Sequence, residues 1–184
     1  MIVVKVGGSL FDSPTLGEAL RAFVESLAPA EVLLVPGGGP VADAVRELDR
    51  THGLGEEAAH WLALRALGVT KAFLELVAKR PTPPSPFPLG RGVGVLDPFT
   101  FALEDEARPG SLPHTWSVTT DSIAARVAVV FRAERLVLLK SVDITPGTPW
   151  EEAAAFGWVD THFPQIAATL ACPVEVVNFR LRLG

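Results

Sequence analysis

The chain has 184 residues, of which 48% are hydrophobic and 20% charged, with a formal net charge of −5. This length and hydrophobicity suffice for one well-packed core, so we expect a single domain over residues 1–184. The negative charge, without any basic block, argues against nucleic-acid binding. A single cysteine, Cys172, excludes an internal disulfide and a cysteine-based zinc site.

No secretory signal is visible, because Met1 leads directly into a strand that Lys5 interrupts. The segment most like a membrane span, residues 58–78, contains four residues that would be stranded in hydrocarbon: His60, Arg65, Lys71 and Glu75. We therefore expect a cytoplasmic protein without membrane contact.

The first predicted element is a short apolar strand that ends in glycines. The strand Ile2–Val6 carries one lysine, Lys5, and is followed directly by Gly7, Gly8 and Ser9. A buried ammonium is costly unless it is paired, so we expect Lys5 to meet a counter-charge or a ligand. Glycines let the backbone approach phosphate oxygens without a Cβ in between, although a tight turn explains them equally well.

A helix and a second strand are predicted next. Pro14 opens the helix, which ends near Leu27, with Asp12 or Ser13 as its cap. The strand Val32–Val35 is short and fully apolar, as interior parallel strands are.

A second glycine cluster, Gly37, Gly38 and Gly39, leads from this strand into a helix predicted over Val41–Arg50. Three glycines sacrifice about 2–3 kcal/mol of chain entropy, which a connector alone rarely requires. The helix start behind them offers free N–H groups and a partial positive charge to an anion. His52 follows this helix and is a candidate for substrate contact or for capping a helix carbonyl.

A long helix is predicted over residues 56–79. It is nearly apolar on more than one face, so it must be covered on both sides. We expect a homodimer, or a higher even-numbered oligomer, built through this helix. The alternative is a central helix that is covered within one chain.

A proline-rich segment at residues 81–88 forbids helix and interior strand alike. It is either a stiff connector or an ordered loop that borders a pocket. Arg91, which follows, could clamp a substrate phosphate with two N–H groups; an exposed turn arginine is the alternative.

The second half of the chain continues the alternation of strands and helices. Strands are predicted at residues 93–96, 136–139 and 174–177, helices or helical turns at residues 119–131, 150–156 and 163–171, and a short helix or a loop at residues 97–106. Thr120 or Asp121 is expected to cap the helix at 119–131. This order predicts an α/β fold with a mostly parallel sheet and ligands at the carboxyl ends of the strands.

Four motifs, taken in order, resemble the amino acid kinase family, which includes acetylglutamate, aspartate, uridylate and carbamate kinases. They are the Lys-x-Gly-Gly-Ser start, the Gly-Gly-Gly loop, the Thr-x-Asp helix start at residues 119–121, and a strand followed by Val142-Asp143. The resemblance runs from Met1 to about Asp143. It implies a three-layer α/β/α sandwich around a mainly parallel sheet, usually in a dimer or larger assembly.

The resemblance also implies roles in phosphoryl transfer from ATP to a small-molecule substrate. Lys5 would bridge donor and acceptor oxygens in the transition state, and Asp121 would orient Lys5. Mg²⁺ would arrive on the phosphates of ATP, so no metal site of the protein's own is expected. ATP is expected at Gly7, Gly8, Ser9, Thr119, Lys140, Ser141 and Asp143, and the acceptor at Gly37, Gly38 and Gly39, with His52 and Arg91 as further candidates.

The stretch Leu112–Ala125 is most similar to short members of the family that convert (aminomethyl)furanylmethyl phosphate to its diphosphate in methanofuran biosynthesis. We expect that acceptor, with a uridylate- or carbamate-type acceptor as the nearest alternative. A nucleotide- or oxyanion-binding storage or regulatory protein without transfer activity is the alternative from another class.

Two departures from the family pattern concern the end of the chain. Many relatives carry a second, late lysine at the transferred phosphoryl group, but no lysine follows Lys140 here. Either Lys140 or an arginine takes that role, or catalysis is weaker. The C-terminal nucleotide-binding part is also shortened.

Overall fold

A computed structural model describes residues 1–78 and 92–183, so the predictions for the proline-rich segment 81–88 and for Arg91 lie outside the described residues. Five parallel strands form one sheet in the order β3-β2-β1-β4-β5. In chain order the strands are Ile2–Val6 (β1), Val32–Pro36 (β2), Val93–Val95 (β3), Arg135–Lys140 (β4) and Val174–Asn178 (β5). The predicted α/β class with a parallel sheet is therefore confirmed.

Helices cover both faces of this sheet and give the three-layer α/β/α sandwich. They are Leu16–Ser26 (α1), Gly39–His52 (α2), Glu56–Ala78 (α3), Pro98–Asp105 (α4), Thr120–Val130 (α5), Trp150–Ala155 (α6) and Phe163–Ala167 (α7). Two 3₁₀ turns, Gly8–Leu10 and Phe179–Arg182, follow β1 and β5 directly.

Alternate side chains of β1 face two separate cores, because successive residues of a strand point to opposite faces. Val4 packs in the core beneath α1 and the second half of α3. Val3 packs in the other core, under α5, α7 and the first half of α3. Lys5 lies on the same face as Val3 and therefore points toward α5.

The strand order places the ends of β1 and β4 at the centre of the sheet. Lys5 is in register with Val35 of β2 on one side and with Leu138 of β4 on the other. The chain winds outward in opposite directions from this pair of strands, and ligands of open α/β sheets bind at such a reversal point. The first glycine cluster follows β1 and the second follows β2, so both lie at the carboxyl edge.

Three predicted helix ends were wrong. The first helix begins at Leu16 rather than Pro14, and neither expected cap serves it: Asp12 forms an ion pair with Arg180, and the hydroxyl of Ser13 is hydrogen-bonded to that of Thr15. The helix predicted to be capped by Thr120 or Asp121 has Thr119 at its cap position. The helix at 163–171 ends at Ala167.

The long helix α3 is partly covered within the chain, where it packs against α1, α2 and α4. One face stays bare: Leu62, Val69 and Leu76, seven residues apart, are 37%, 61% and 77% exposed. Within the described parts of the chain, no helix combines the length and hydrophobicity needed to cross a membrane. The homodimer through this helix remains a prediction.

That prediction is tested by placing a charge on the bare face. Leu76→Glu should convert a dimer to a monomer, because an interface buries apolar side chains and an unpaired carboxylate there is costly. Light scattering coupled to size-exclusion chromatography gives the mass. Leu181→Glu, at a residue equally exposed (77%) but on the C-terminal 3₁₀ turn, is the matched control. A monomeric parent chain, or a dimeric Leu76→Glu variant, would contradict the prediction.

Candidate active site

Two lysines from neighbouring strands share one carboxylate at the carboxyl edge of the sheet. Nζ of Lys5 lies 2.9 Å from Oδ1 of Asp121, and Nζ of Lys140 donates a hydrogen bond of 2.6 Å to Oδ2. Asp121 reaches them from the first turn of α5. All three side chains are at most 10% exposed.

Burial makes the charges of this cluster unusually strong. Burial alone would raise the pKa of Asp121, but the two ammonium groups outweigh it and hold that pKa below its ordinary value. Burial, together with the Lys5 ammonium, lowers the pKa of Lys140 to about 8, although Asp121 opposes the shift. With both lysines protonated the cluster has one net positive charge, which an anion would compensate.

The two glycine clusters touch each other beside Lys5. A Cβ on Gly8 would lie 2.2 Å from the backbone N of Gly39, and one on Gly37 would lie 2.3 Å from the N of Gly8. These distances are far too short for a real Cβ, so a side chain at either position would force the loops apart. Gly39 also has a φ of +52°, which favours glycine. The absence of side chains at these glycines therefore allows the two loops that are candidates for phosphate binding to lie in contact.

Groups from both ends of the chain meet beyond the first cluster. The hydroxyls of Ser9 and Ser141 are hydrogen-bonded at 2.8 Å. Arg180 donates to the carbonyl of Ser9 at 2.5 Å and forms an ion pair with Asp12. The loop after β1 thus has two hydroxyls and a guanidinium beside it. Asp143 is exposed in the turn after β4.

A cavity of about 280 Å³ opens beside Lys5 and the two glycine clusters. Lys5, Gly8, Ser9, Gly38 and Gly39 line one end, where the α2 N-terminus also points its free N–H groups. The rest of the wall is contributed by α2, α3 and the segment that leads into α5: Ala42, Asp43, Arg46, His60, Ala63, Leu64, Leu67, Trp116, Val118, Thr119, Thr120 and Ile123.

The segment before α5 is fixed across this cavity by Trp116. Its indole N–H donates to Asp49 on α2 at 2.7 Å, and the Arg46 guanidinium lies 5.0 Å from its ring centre. Arg46 also forms an exposed ion pair of 2.8 Å with Asp43. The mouth of the cavity therefore has an aromatic face, a guanidinium and a carboxylate.

His60 forms another part of the wall and stacks on His114, which is not in the cavity lining. His60 is 8% exposed and lies 4.9 Å, ring centre to ring centre, from His114. The ring nitrogens of His114 meet Glu57 at 2.7 Å and Glu106 at 2.9 Å. Partial burial opposes protonation of His114, but the two carboxylates raise its pKa overall. Burial and the neighbouring His114 lower the pKa of His60, which favours a neutral ring in the cavity wall.

Some residues predicted for the site lie apart from the cavity. His52 is exposed in the last turn of α2, a 14-residue helix about 20 Å long, whose first residue is at the cavity. Its nearness in sequence to the glycines therefore does not bring it into the cavity lining. Thr119 lines the cavity, but both its N–H and its hydroxyl donate to Asp160.

Several residues of the site were missed in the sequence. Asp43, Arg46, His60 and Trp116 line the cavity, and Asp160 holds the start of α5. The i, i+3 spacing of Asp43 and Arg46 on a helix that begins at a glycine cluster was an available signal. The other contacts depend on tertiary packing. Among residues 1–78 and 92–183, no group of three or more His, Cys, Asp or Glu side chains is arranged to hold a metal ion.

Comparison with known proteins agrees with the resemblance noted in the sequence. The sequence profile of the amino acid kinase family matches residues 1–82. The chain is 24% identical over 149 residues to (5-(aminomethyl)furan-3-yl)methyl phosphate kinase from Methanocaldococcus jannaschii, a match that covers 78% of this chain and 67% of that protein. The resemblance to amino acid kinases is thereby confirmed.

The fold is similar to that of a solved kinase structure. The crystal structure of uridylate kinase from Archaeoglobus fulgidus superposes with a TM-score of 0.65 and 19% sequence identity. The match covers 96% of this chain and 89% of the other. It supports the three-layer sandwich.

Loss of the Lys5 ammonium should abolish most turnover and leave the fold intact. For the phosphoryl transfer that the resemblance implies, Lys5→Ala should lower kcat by about 10²- to 10³-fold. This is the usual effect of removing a group that stabilises transition-state charge. Asp121 keeps its bond to Lys140, so the thermal midpoint should change little by comparison. Lys71→Ala, which removes a lysine paired with Glu75 on α3, is the control. Unchanged turnover in Lys5→Ala would remove Lys5 from the mechanism.

The lowered pKa of Lys140 predicts a pH limit on activity. The ammonium is charged below a pH of about 8 and is lost as the pH rises through that value. Because kcat/KM reports the free enzyme, it should fall above a pH of about 8. In Lys140→Arg the cation persists at all these pH values, so the fall should disappear even if the maximum is lower. A fall of kcat/KM that is identical in the parent and in Lys140→Arg would show that Lys140 is not the group that limits activity at high pH.

Proposed function

We propose that this chain, which resembles the amino acid kinases in its motifs and fold, is an ATP-dependent phosphotransferase that acts on a small anionic acceptor. The specific acceptor we propose is (aminomethyl)furanylmethyl phosphate, which would be converted to its diphosphate. One observation carries the proposal: Lys5 and the two touching glycine clusters lie where the hydroxyls of Ser9 and Ser141 adjoin an open cavity, so that a donor and an acceptor phosphate would meet at the Lys5 ammonium.

The chemistry of such a transfer fits this arrangement. An oxygen of the acceptor phosphate forms the new bond to the γ-phosphorus of ATP, while the bond from that phosphorus to the bridging oxygen breaks and ADP leaves with the electron pair. Negative charge spreads over the transferred group, so catalysis depends on positioning and on cations. The attacking oxygen is already anionic, so no general base is needed. Asp121 is then free to serve as the shared partner of both lysines.

The residues at the donor side fit the triphosphate of ATP. Gly7 and Gly8 present backbone without side chains, Ser9 and Ser141 add hydroxyls, and the lysine cluster adds net positive charge. Lys140, at 2.6 Å from Asp121, is our candidate for the second cation at the transferred group. Mg²⁺ would be held chiefly by the phosphates, and it would neutralise charge on them.

The lining of the cavity favours an acceptor with a phosphate at one end and a ring beyond it. The phosphate would face Lys5 and the start of α2, and Ala63, Leu64 and Leu67 offer an aliphatic surface to a ring. At the mouth, Asp43 supplies a carboxylate suited to an aminomethyl group. This combination also agrees with the name of the Methanocaldococcus jannaschii relative.

Phosphorus NMR tests the activity against its alternatives. Mixed with ATP, Mg²⁺ and (aminomethyl)furanylmethyl phosphate, the protein should produce ADP and a new diphosphate signal, and ATP should persist when the acceptor is omitted. UMP and carbamate, supplied separately, should react far more slowly. A faster reaction with UMP or carbamate would show that this compound, and not (aminomethyl)furanylmethyl phosphate, is the acceptor. ATP that binds but is never consumed would support a storage or regulatory protein.

The contribution of Asp43 to binding the amine of the acceptor can be measured separately from phosphate binding. Asp43→Asn should raise KM for the aminomethyl acceptor by about fivefold, the size expected for a largely exposed ion pair. KM for the analogue with a methyl group in place of the aminomethyl group should not change. An equal rise for both acceptors would show that Asp43 does not contact the amine.

A further inference from the structure

A carboxylate outside the lysine cluster fixes the first turn of α5. Asp160 lies in the loop between α6 and α7, and its oxygens accept five hydrogen bonds. Oδ2 accepts from N and Oγ1 of Thr119, at 3.0 and 2.8 Å, and from N of Ser122 at 2.9 Å. Oδ1 accepts from Oγ of Ser122 at 2.5 Å and from N of Phe163 at 2.9 Å.

These bonds replace the local cap that α5 lacks. The first N–H groups of a helix have no acceptor within the helix, and a residue at the cap position normally supplies one. Thr119 occupies that position but its side chain makes no capping bond. Asp160 supplies the acceptor from 38 to 41 residues downstream. Its carboxylate also lies where the partial positive charge of the helix start favours an anion.

We propose that Asp160 is a positioning residue for phosphoryl transfer: it fixes residues 119 and 122, and thereby holds Asp121, which lies between them, against Lys5 and Lys140. This inference rests on the proposed function. Asp160 does not line the cavity and, among the described residues, its hydrogen bonds go to protein groups. It therefore acts on the reaction through Asp121.

Asp160 also acts on Lys140 through its charge. The charged groups that face Lys140 are Lys5 on β1, Asp121 on α5 and Asp160 in the loop before α7. Of these, the two carboxylates favour the ammonium form. Replacing Asp160 by a neutral residue should therefore lower the pKa of Lys140 further below about 8. A residue that acted only through hydrogen bonds, without its charge, would not produce this shift.

The test compares Asp160→Asn with Glu175→Gln. Both variants remove one carboxylate charge and keep the side-chain shape. Glu175 pairs with Arg135 near the amino end of β4, at the opposite edge of the sheet from the site. In Asp160→Asn we expect kcat to fall by about 10- to 100-fold, because a small misplacement of the reacting groups slows a reaction by such factors. In Asp160→Asn the fall of kcat/KM should also begin at a lower pH than in the parent. Glu175→Gln should match the parent in both kcat and pH profile.

A second measurement keeps this inference separate from the proposed function. The ε-carbon NMR signal of Lys140, assigned by its absence in Lys140→Arg, should titrate at lower pH in Asp160→Asn whether or not an acceptor reacts. An unchanged Lys140 titration, or a kcat within twofold of the parent, would overturn the inference. If the parent turns over no acceptor, the proposed function fails, and the titration alone decides the effect of Asp160 on the cluster.

A milder variant covers the case in which Asp160→Asn does not fold. Ser122→Ala removes one donor to Asp160 and keeps the charge, and Ser122 is fully buried outside the cavity lining. We expect kcat to fall by about threefold with the titration of Lys140 unchanged. A kcat equal to that of the parent would overturn the positioning role.

Discussion

Two ammonium groups around one buried carboxylate constrain the rest of this structure. Lys5 and Lys140 point to the same face of the sheet because each lies on a strand position that faces α5. A single Asp121 lowers the cost of burying them but leaves one net positive charge in a poorly solvated crevice. Such a charge is stable only if an anion or water reaches it. The cavity beside Lys5 provides the opening through which an anion would enter.

The topology explains why the anion-binding elements meet at this point. Parallel strands send their carboxyl ends to one edge, and β1 lies between β2 and β4. The loops after β1 and β2 are therefore neighbours, and the contact between Gly8 and Gly39 leaves no space for a Cβ. The glycines thus have a packing role as well as the expected exposure of backbone N–H groups. Both roles require the same residue type, which is why the sequence alone did not separate them.

The elements with local signals were predicted well. The apolar strand Ile2–Val6 and the helix behind the second glycine cluster appear as expected, because period and glycine position determine them locally. The start of α1 was missed because Asp12, a good cap by type, is paired with Arg180 from the other end of the chain. Similarly, the distant cap Asp160 has no sequence signature near α5. Tertiary contacts overrode local preference in both cases.

In the site, too, some residues could be predicted from the sequence and others depend on tertiary contacts. The resemblance to amino acid kinases pointed to Lys5 and Asp121, and the structure places their charged groups 2.9 Å apart, although their roles in turnover stay predictions. The cavity wall could not be predicted, because His60 and Trp116 reach it from segments 56 residues apart in sequence. His52 is close in sequence to the glycines, but the helix α2 places it about 20 Å from them.

A crystal structure with a non-hydrolysable ATP analogue and the acceptor phosphate would test the central claim most directly. The account predicts the γ-phosphate against Gly7, Gly8 and Ser9, within hydrogen-bond distance of Nζ of Lys5, with the acceptor in the cavity on the other side of that ammonium. A nucleotide bound elsewhere, or an adenine ring filling the cavity while no phosphate approaches Lys5, would contradict it.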